Sequence, residues 1–350
     1  MANIKDVARE AGVSVATVSR VFNDSEQVSD ETRQLVRDVA GRLRYWPNGV
    51  ARSLITNRTQ ALGVLLPDLY GEFFSELIRG IDLAARSEGF HLLVSSSHSD
   101  THGLVAAMRS MRGRVDGLVI MAPDFDSAAA MHDAAGEFPV VILDPGVGMA
   151  TWDTISIANQ DGASQVVRHL VSLGHRRIAT VTGPRHNIDA QQRIVGYRAA
   201  LAEAGIAHDP QLELEGDFTE PSGYRAVAQL LAIEPRPTAA LFGNDYMAIG
   251  AMSALSEAGL RVPEDFAVAG FDDIAMARYL TPALTTVHVD LIEFGARAVR
   301  RLLEVKDGAP GDVPRHEVVG AQLVIRRSCG ALEDPGAAYP THSDRRRRHS

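Results

Sequence analysis

The sequence predicts a multi-domain chain: an all-α head of helix-turn-helix form, followed by two α/β units with doubly wound parallel sheets. Three observations carry this. The first 45 residues hold three short helical patterns, each with its own cap; from Ala61 onward short apolar strands alternate with amphipathic helices; and the charge balance changes sign between the two regions. Residues 1–60 contain nine Lys and Arg against seven Asp and Glu, and the remainder contains 26 against 37. Residues 39–60 hold four arginines (Arg42, Arg44, Arg52, Arg58) and no acid. A mildly basic head on an acidic body prompts a search for polyanion binding. The excess of arginine over lysine, 33 to 2, reads as coding bias.

In the head, Asn3 can cap a helix from Ile4 to about Ala11, with Asp6 near its positive end and Ile4, Val7, Ala8 and Ala11 on one face. Gly12-Val13 makes a tight turn, and Ser14 caps a second helix from Val15 to about Asn23. Ser29 caps a third, with Asp30 and Glu31 in its first turn and Leu35, Val36, Val39, Ala40 and Leu43 at helical spacing. Two helices joined by a short turn containing glycine form the helix-turn-helix arrangement. Pro47-Asn48-Gly49 ends the unit. The stretch after it is long enough for two helical turns, too few to be stable alone.

The body reads as strand Leu62–Leu66, helix near Phe73–Glu88, strand His91–Ser95, helix near Leu104–Met111, then strands Val115–Met121 and Val140–Leu143. After Ile155–Ile157 come helix 160–173, strand Ile178–Thr182, helices 189–204 and 222–232, strand Ala239–Phe242, helix 245–258 and strand Phe266–Phe271. Such alternation means parallel, doubly wound sheets. About ten strands suit two halves better than one sheet. Strands 285–289 and 322–327, with helix 291–305 between them, are expected to cross back and complete both halves. The expected division is a head over 1–46, a linker over 47–60, and a core over 61–330. The core splits into an N-subdomain (about 61–158 and 290–318) and a C-subdomain (about 160–288 and 320–330). Residues 331–350, ending in Arg345-Arg346-Arg347-Arg348, lack periodicity and are expected to be a disordered tail.

Composition narrows the function. With 45% apolar and 23% charged residues the 350-residue chain is an ordinary globular protein. The single cysteine, Cys329, excludes a disulfide framework and a cysteine-rich zinc site. No apolar run reaches the roughly 18–20 residues of a membrane helix, and no export signal opens the chain. The expected address is the cytoplasm, near the nucleoid, with no membrane partner. There is no Gly-Lys-Ser/Thr phosphate loop, no Gly-x-Ser-x-Gly elbow and no His-Glu-x-x-His. Gly146-Val147-Gly148 reads as a loop, and His169 and His175 as structural. No enzyme, catalytic residue, metal or cofactor is therefore expected.

The residues themselves carry a resemblance. Asn3-Ile4-Lys5-Asp6-Val7-Ala8, Ala11-Gly12-Val13-Ser14, Thr17-Val18-Ser19-Arg20-Val21, Tyr45-Trp46-Pro47-Asn48 and Ala51-Arg52-Ser53-Leu54 resemble the head of the LacI/GalR repressor family. So, in the body, do Arg114-Val115-Asp116-Gly117-Leu118, Gly174-His175-Arg176, Arg193-Ile194-Val195-Gly196-Tyr197, Gly243-Asn244-Asp245 and Gly270-Phe271-Asp272-Asp273. The match runs over about residues 3–328 in one order. It implies a DNA-binding head, a hinge helix, and a core like the periplasmic sugar-binding proteins that dimerises and binds a small effector between its halves. The fold class this gives is a helix-turn-helix head plus hinge helix, then two periplasmic-binding-protein-like subdomains.

By matching positions, the resemblance implies that Val15, Ala16 and Arg20 face the major groove. Arg20 can fork onto guanine, whereas Val15 and Ala16 can only make apolar contacts. Thr17, Ser19, Asn23, Tyr45 and Asn48 suit phosphates. Leu54 is implied to wedge into the minor groove at the centre of a pseudo-palindromic operator. For the effector, Arg193 and Asp272 are the leading residues, a guanidinium fork and a carboxylate suited to adjacent hydroxyls. Asn244, Asp144 and Asp189 add polar groups, and Phe218 and Phe73 could stack on the ligand. The expected function is a sequence-specific homodimeric repressor of a carbohydrate-utilisation operon, controlled by a sugar or sugar derivative. The alternative is a purine- or nucleoside-responsive repressor: Gly216-Asp217-Phe218 and Ser222-Gly223-Tyr224-Arg225 resemble purine-responsive relatives. Asn187 and Asp189 depart from the arginine and threonine those relatives carry. A secreted sugar-binding receptor would share the core but open with a signal peptide.

Overall fold

The computed structural model describes residues 2–22, 27–46, 58–97, 101–124, 127–136, 138–146, 148–149, 151–308 and 313–331. The backbone divides near Gln60–Ala61 into a head and a core. Residues 47–57 of the expected hinge and linker, with Leu54, and the tail beyond Ala331 lie outside the described residues.

The head is built from α1 (Ile4–Ala11), α2 (Val15–Phe22) and α3 (Asp30–Arg42). Asn3 closes a capping box: its Oδ1 accepts the Lys5 and Asp6 amides, and the Asp6 carboxylate accepts the Asn3 amide at 3.0 Å. Gly12 turns the chain at φ 66°, a left-handed angle that glycine adopts without penalty. The Ser14 hydroxyl then accepts the Thr17 amide at 3.0 Å, starting α2. Val7, Val18, Val21, Val36 and Val39 are fully buried together, so these three short helices stand by packing.

The core opens with β1 (Ala61–Leu66), α4 (Glu72–Ser87), β2 (His91–Ser96), α5 (Thr101–Met111), β3 (Leu118–Met121), α6 (Ala128–Ala135), β4 (Val140–Leu143) and β5 (Asp153–Ile157). It continues through α7 (Asn159–Ser172), β6 (Ile178–Thr182), α8 (Ile188–Glu203), β7 (Glu213–Glu215), α9 (Glu220–Ala232), β8 (Ala239–Phe242), α10 (Asp245–Glu257) and β9 (Ala267–Ala269). The chain then crosses back through β10 (Thr286–Val289), α11 (Leu291–Asp307), β11 (His316–Val319) and β12 (Ala321–Val324). One six-stranded parallel sheet has the order β11-β5-β4-β3-β1-β2, and a four-stranded parallel sheet has the order β7-β6-β8-β9. An antiparallel pair, β10 with β12, lies beside the second sheet through bridges Ala269–Thr285 and Asp272–His288. Strands β3, β4 and β8 are buried along their whole length, as parallel strands covered on both faces must be.

Three elements escaped the sequence reading. β11 is an edge strand with His316 and Val318 exposed, so it has no continuous apolar run. β7 is three residues long and polar, again at an edge. α6 is short and alanine-rich, with little contrast between its faces. The strand expected over Val115–Met121 is ordered as a strand only from Leu118. Among the described residues no helix is long and apolar enough to cross a membrane.

Candidate functional site

On the head, the residues that bury α2 and those that leave it open separate cleanly. Val18 and Val21 point into the core, while Val15 (41% exposed), Ala16 and Arg20 form an open face. Thr17 and Ser19 are half-buried. The Thr17 hydroxyl shares a hydrogen bond with Ser14 at 2.8 Å, so part of its polarity serves the cap. Tyr45 packs edge-on against Phe22 with ring centroids 5.9 Å apart, and burial pushes its hydroxyl above the usual range. Asn23, Asn48 and Leu54 lie outside the described residues.

In the core, the chemistry gathers where the first turns of α7 and α8 meet the carboxyl ends of the strands. Doubly wound sheets bind ligands at such ends. Asn187 caps α8, its Oδ1 accepting the Ala190 amide at 3.0 Å, while its Nδ2 donates to Asp124 after β3 at 2.9 Å. Asp189 and Arg193 then stand four residues apart, on one face of α8. Asn159, the first residue of α7, spans both: its Nδ2 donates to Asp189 Oδ1 at 2.9 Å and its Oδ1 accepts Arg193 Nε at 2.8 Å. That span needs α7 and α8 close together. Gly196 supplies the closeness, since a Cβ there would sit 2.1 Å from the Gln160 carbonyl oxygen.

The Arg193 guanidinium lies 3.8 Å above the Phe271 ring and donates to the Gly243 carbonyl. Its other terminal nitrogen is 3.7 Å from Asp272 Oδ1, within ion-pair range but too far for a hydrogen bond. Asp272 follows β9 at φ 105°, a strained angle for a residue other than glycine. Its loop is held by fully buried Asp245, which accepts the Thr286 hydroxyl at 2.5 Å and the Ile274 amide at 2.9 Å. Asp144 follows β4, also at positive φ (41°). It accepts the Ile157 amide through Oδ1 at 2.9 Å, and its Oδ2 has no hydrogen-bond partner among the described residues. The same is true of Asp272 Oδ1.

Three buried carboxylates thus face one guanidinium. Burial, reinforced by the negative charge of Asp189, holds the Asp144 carboxyl well above the usual range. Burial pushes Asp189 up to about 6 and Asp272 up to about 7, against the pull of Arg193 in both cases. Desolvated anions favour either a proton or a hydrogen-bond donor. A molecule rich in donors satisfies them.

Four of the expected effector residues, Asp144, Asp189, Arg193 and Asp272, come together in this cluster. Phe218 borders it: the ring lies 5.8 Å from the guanidinium and rests on Gly183, where a Cβ would come within 2.0 Å of it. Asn244 caps α10 by accepting the Met247 amide at 2.9 Å, and donates to the Phe218 carbonyl at 2.9 Å. Both ends of its amide thus hold the wall in place. Phe73 packs edge-on against Phe74 at 5.3 Å and onto the apolar core. The sequence reading missed Asn159, Phe271 and Asp124. Asn159 was open to detection, as a polar residue between strand Ile155–Ile157 and a helix. His169 and His175 bond Cys329 Sγ (3.3 Å) and Thr238 (2.9 Å).

Comparison with known proteins bears on both units. Residues 3–48 match the bacterial regulatory proteins of the lacI family, and residues 167–329 match the periplasmic binding protein-like domain. The HTH-type transcriptional repressor PurR of Erwinia tasmaniensis is 39% identical over 307 residues, covering 87% of this chain and 90% of that protein. PurR of Mannheimia succiniciproducens is 36% identical, covering 94% and 98%. Among solved structures, the lac repressor dimer bound to operator and the anti-inducer ONPF matches with TM-score 0.86 and 34% identity, covering 94% of this chain and 99% of that one. The transcriptional regulator CelR in its cellobiose complex matches with TM-score 0.71 and 32% identity, covering 94% and 100%.

Proposed function

Because the chain belongs to the LacI family of bacterial regulatory proteins, DNA-binding transcriptional repressors, we propose that its operator affinity is set by a small, donor-rich effector, a sugar or sugar derivative, bound at Asp144, Asp189, Arg193 and Asp272. One observation carries the reading: four ionisable side chains, each at least 90% buried, converge at the strand ends with two carboxylate oxygens that have no hydrogen-bond partner among the described residues. Ionised carboxylates only accept hydrogen bonds, and sugar hydroxyls donate to them. The Arg193 plane accepts no hydrogen bonds and suits the lone pairs of neighbouring hydroxyls.

On the DNA side, the open face of α2 suits the major groove. Arg20 would read guanine there, and Val15 and Ala16 a thymine methyl. Two copies on a pseudo-palindrome would bring two Leu54 side chains to the central step, where wedging bends the duplex. The effector would act by shifting the hinge between a DNA-gripping and a released arrangement, with the ligand releasing DNA.

A second reading, a purine or nucleoside effector, is favoured by the PurR name of the curated relatives. On names alone, the purine reading leads. The side chains support the sugar reading, because Asn187 is engaged as a cap with Asp124 and Asp189 places a carboxylate in the cluster.

The test is a fluorescence-anisotropy titration of the full chain on the DNA upstream of its own gene, against random duplex, with a panel of sugars and purines. A change in operator affinity with sugars supports the reading. A change with purine bases or nucleosides alone overturns the sugar assignment.

A further inference from the structure

We infer that the effector cleft selects a sugar carrying an ammonium group, an amino sugar, over the neutral sugar of the same ring. This rests on the sugar reading above and narrows it. Two observations support it.

The first is charge. Asp144, Asp189 and Asp272 converge on Arg193, and Asp124, bonded to the α8 cap, adds its field at Asp189. Arg193 makes its ion pair with Asp272 and is already engaged by Asn159, Gly243 and the Phe271 ring. Arg193 alone does not keep these carboxyls ionised, since burial holds Asp144, Asp189 and Asp272 above the usual range in spite of it; an ammonium brings the further positive charge that lets them give up their protons, and a neutral polyol does not. The second is a pair of oxygens, Asp144 Oδ2 and Asp272 Oδ1, that have no hydrogen-bond partner among the described residues and belong to residues 1% and 8% exposed. A hydroxyl donates one hydrogen, and its lone pairs find no donor in a carboxylate. An ammonium donates three and accepts none, and its bonds to carboxylates are charge-assisted. Asp189 takes a side-chain hydrogen bond from the neutral Asn159 amide and feels Arg193 through its charge, against burial that holds its carboxyl up at about 6, so a second cation beside it has the most to stabilise.

The experiment is calorimetric titration of the full chain at pH 7 with glucosamine, galactosamine and mannosamine, each against its neutral parent hexose and its N-acetyl form. The expected result is that at least one amino sugar binds about tenfold or more tightly than both uncharged counterparts. Asp189→Asn, and Asp189→Ser should the first variant melt early, then bring that preference down to about threefold or less. Equal or tighter binding of the neutral parent overturns the inference and leaves the sugar reading standing. No binding by any of the three amino sugars also overturns it. Should guanine, hypoxanthine or adenine alone bind in the same titrations, the sugar reading falls with it.

Discussion

Arg193 Nε donates to Asn159 Oδ1 at 2.8 Å, which ties helix α8 to the start of α7, directly after strand β5. The same amide donates to Asp189, so one neutral side chain sets the spacing of a cation and an anion one helical turn apart.

Asn159→Ala leaves both the Asp189 carboxylate and the Arg193 Nε without their buried partner. Leaving a buried polar group unsatisfied costs about 1–3 kcal/mol. The expected outcome is a lowered melting temperature and at least tenfold weaker effector binding by calorimetry, with operator binding in the absence of effector retained.

Gly196→Ala places a Cβ within about 2 Å of the Gln160 backbone oxygen, so α7 and α8 must part. Overpacking of this kind costs about 1–3 kcal/mol. Thermal melting reads the loss, and effector affinity falls with it because Asn159 no longer spans Asp189 and Arg193.

Asp272 makes the core's stability depend on pH in a definite direction. Its folded carboxyl titrates at about 7, whereas an ordinary aspartate titrates at 3.8. Between those values the unfolded chain is ionised there and the folded chain holds a proton, so folding takes up protons. The stabilising contribution is fully present below the unfolded value and is lost as pH rises through about 7, at up to about 1.4 kcal/mol per pH unit. Asp189, raised to about 6, acts in the same sense. Asp272→Asn is expected to flatten the fall in melting temperature between pH 5 and pH 8 relative to the parent.

Arg20→Ala on the open face of α2 is expected to cost about 1–3 kcal/mol per half-site on the cognate operator and to relax preference at one base pair. Leu54→Ser is expected to weaken operator binding while leaving effector titrations unchanged. Competition against operators with single substitutions, and anisotropy of the Leu54 variant, read these out.

Much of the fold was legible because its signals are local. Asn3, Ser14 and Ser29 announce helix starts by their capping chemistry, and buried strands such as Val140–Leu143 announce themselves by unbroken apolar runs. β7 and β11 were hidden because edge strands are half solvated and carry polar residues. Asp144, Asp189, Arg193 and Asp272, which the structure brings into one cluster, were named by residue type at matched positions. Asn159 and Asp124 were not, because their roles are relational: each matters through a partner 30 or more positions away. The left-handed angles at Asp144 and Asp272 are likewise properties of the folded loops, invisible in the order of residues.

The most direct measurement is the dissociation constant of the full chain on the DNA upstream of its own gene, with and without a saturating sugar that calorimetry shows to bind. The expected result is a strong preference for that DNA over random duplex and a shift of about 5–150-fold on adding the sugar, the range typical of allosteric coupling. An unchanged constant with the cleft demonstrably occupied would contradict it.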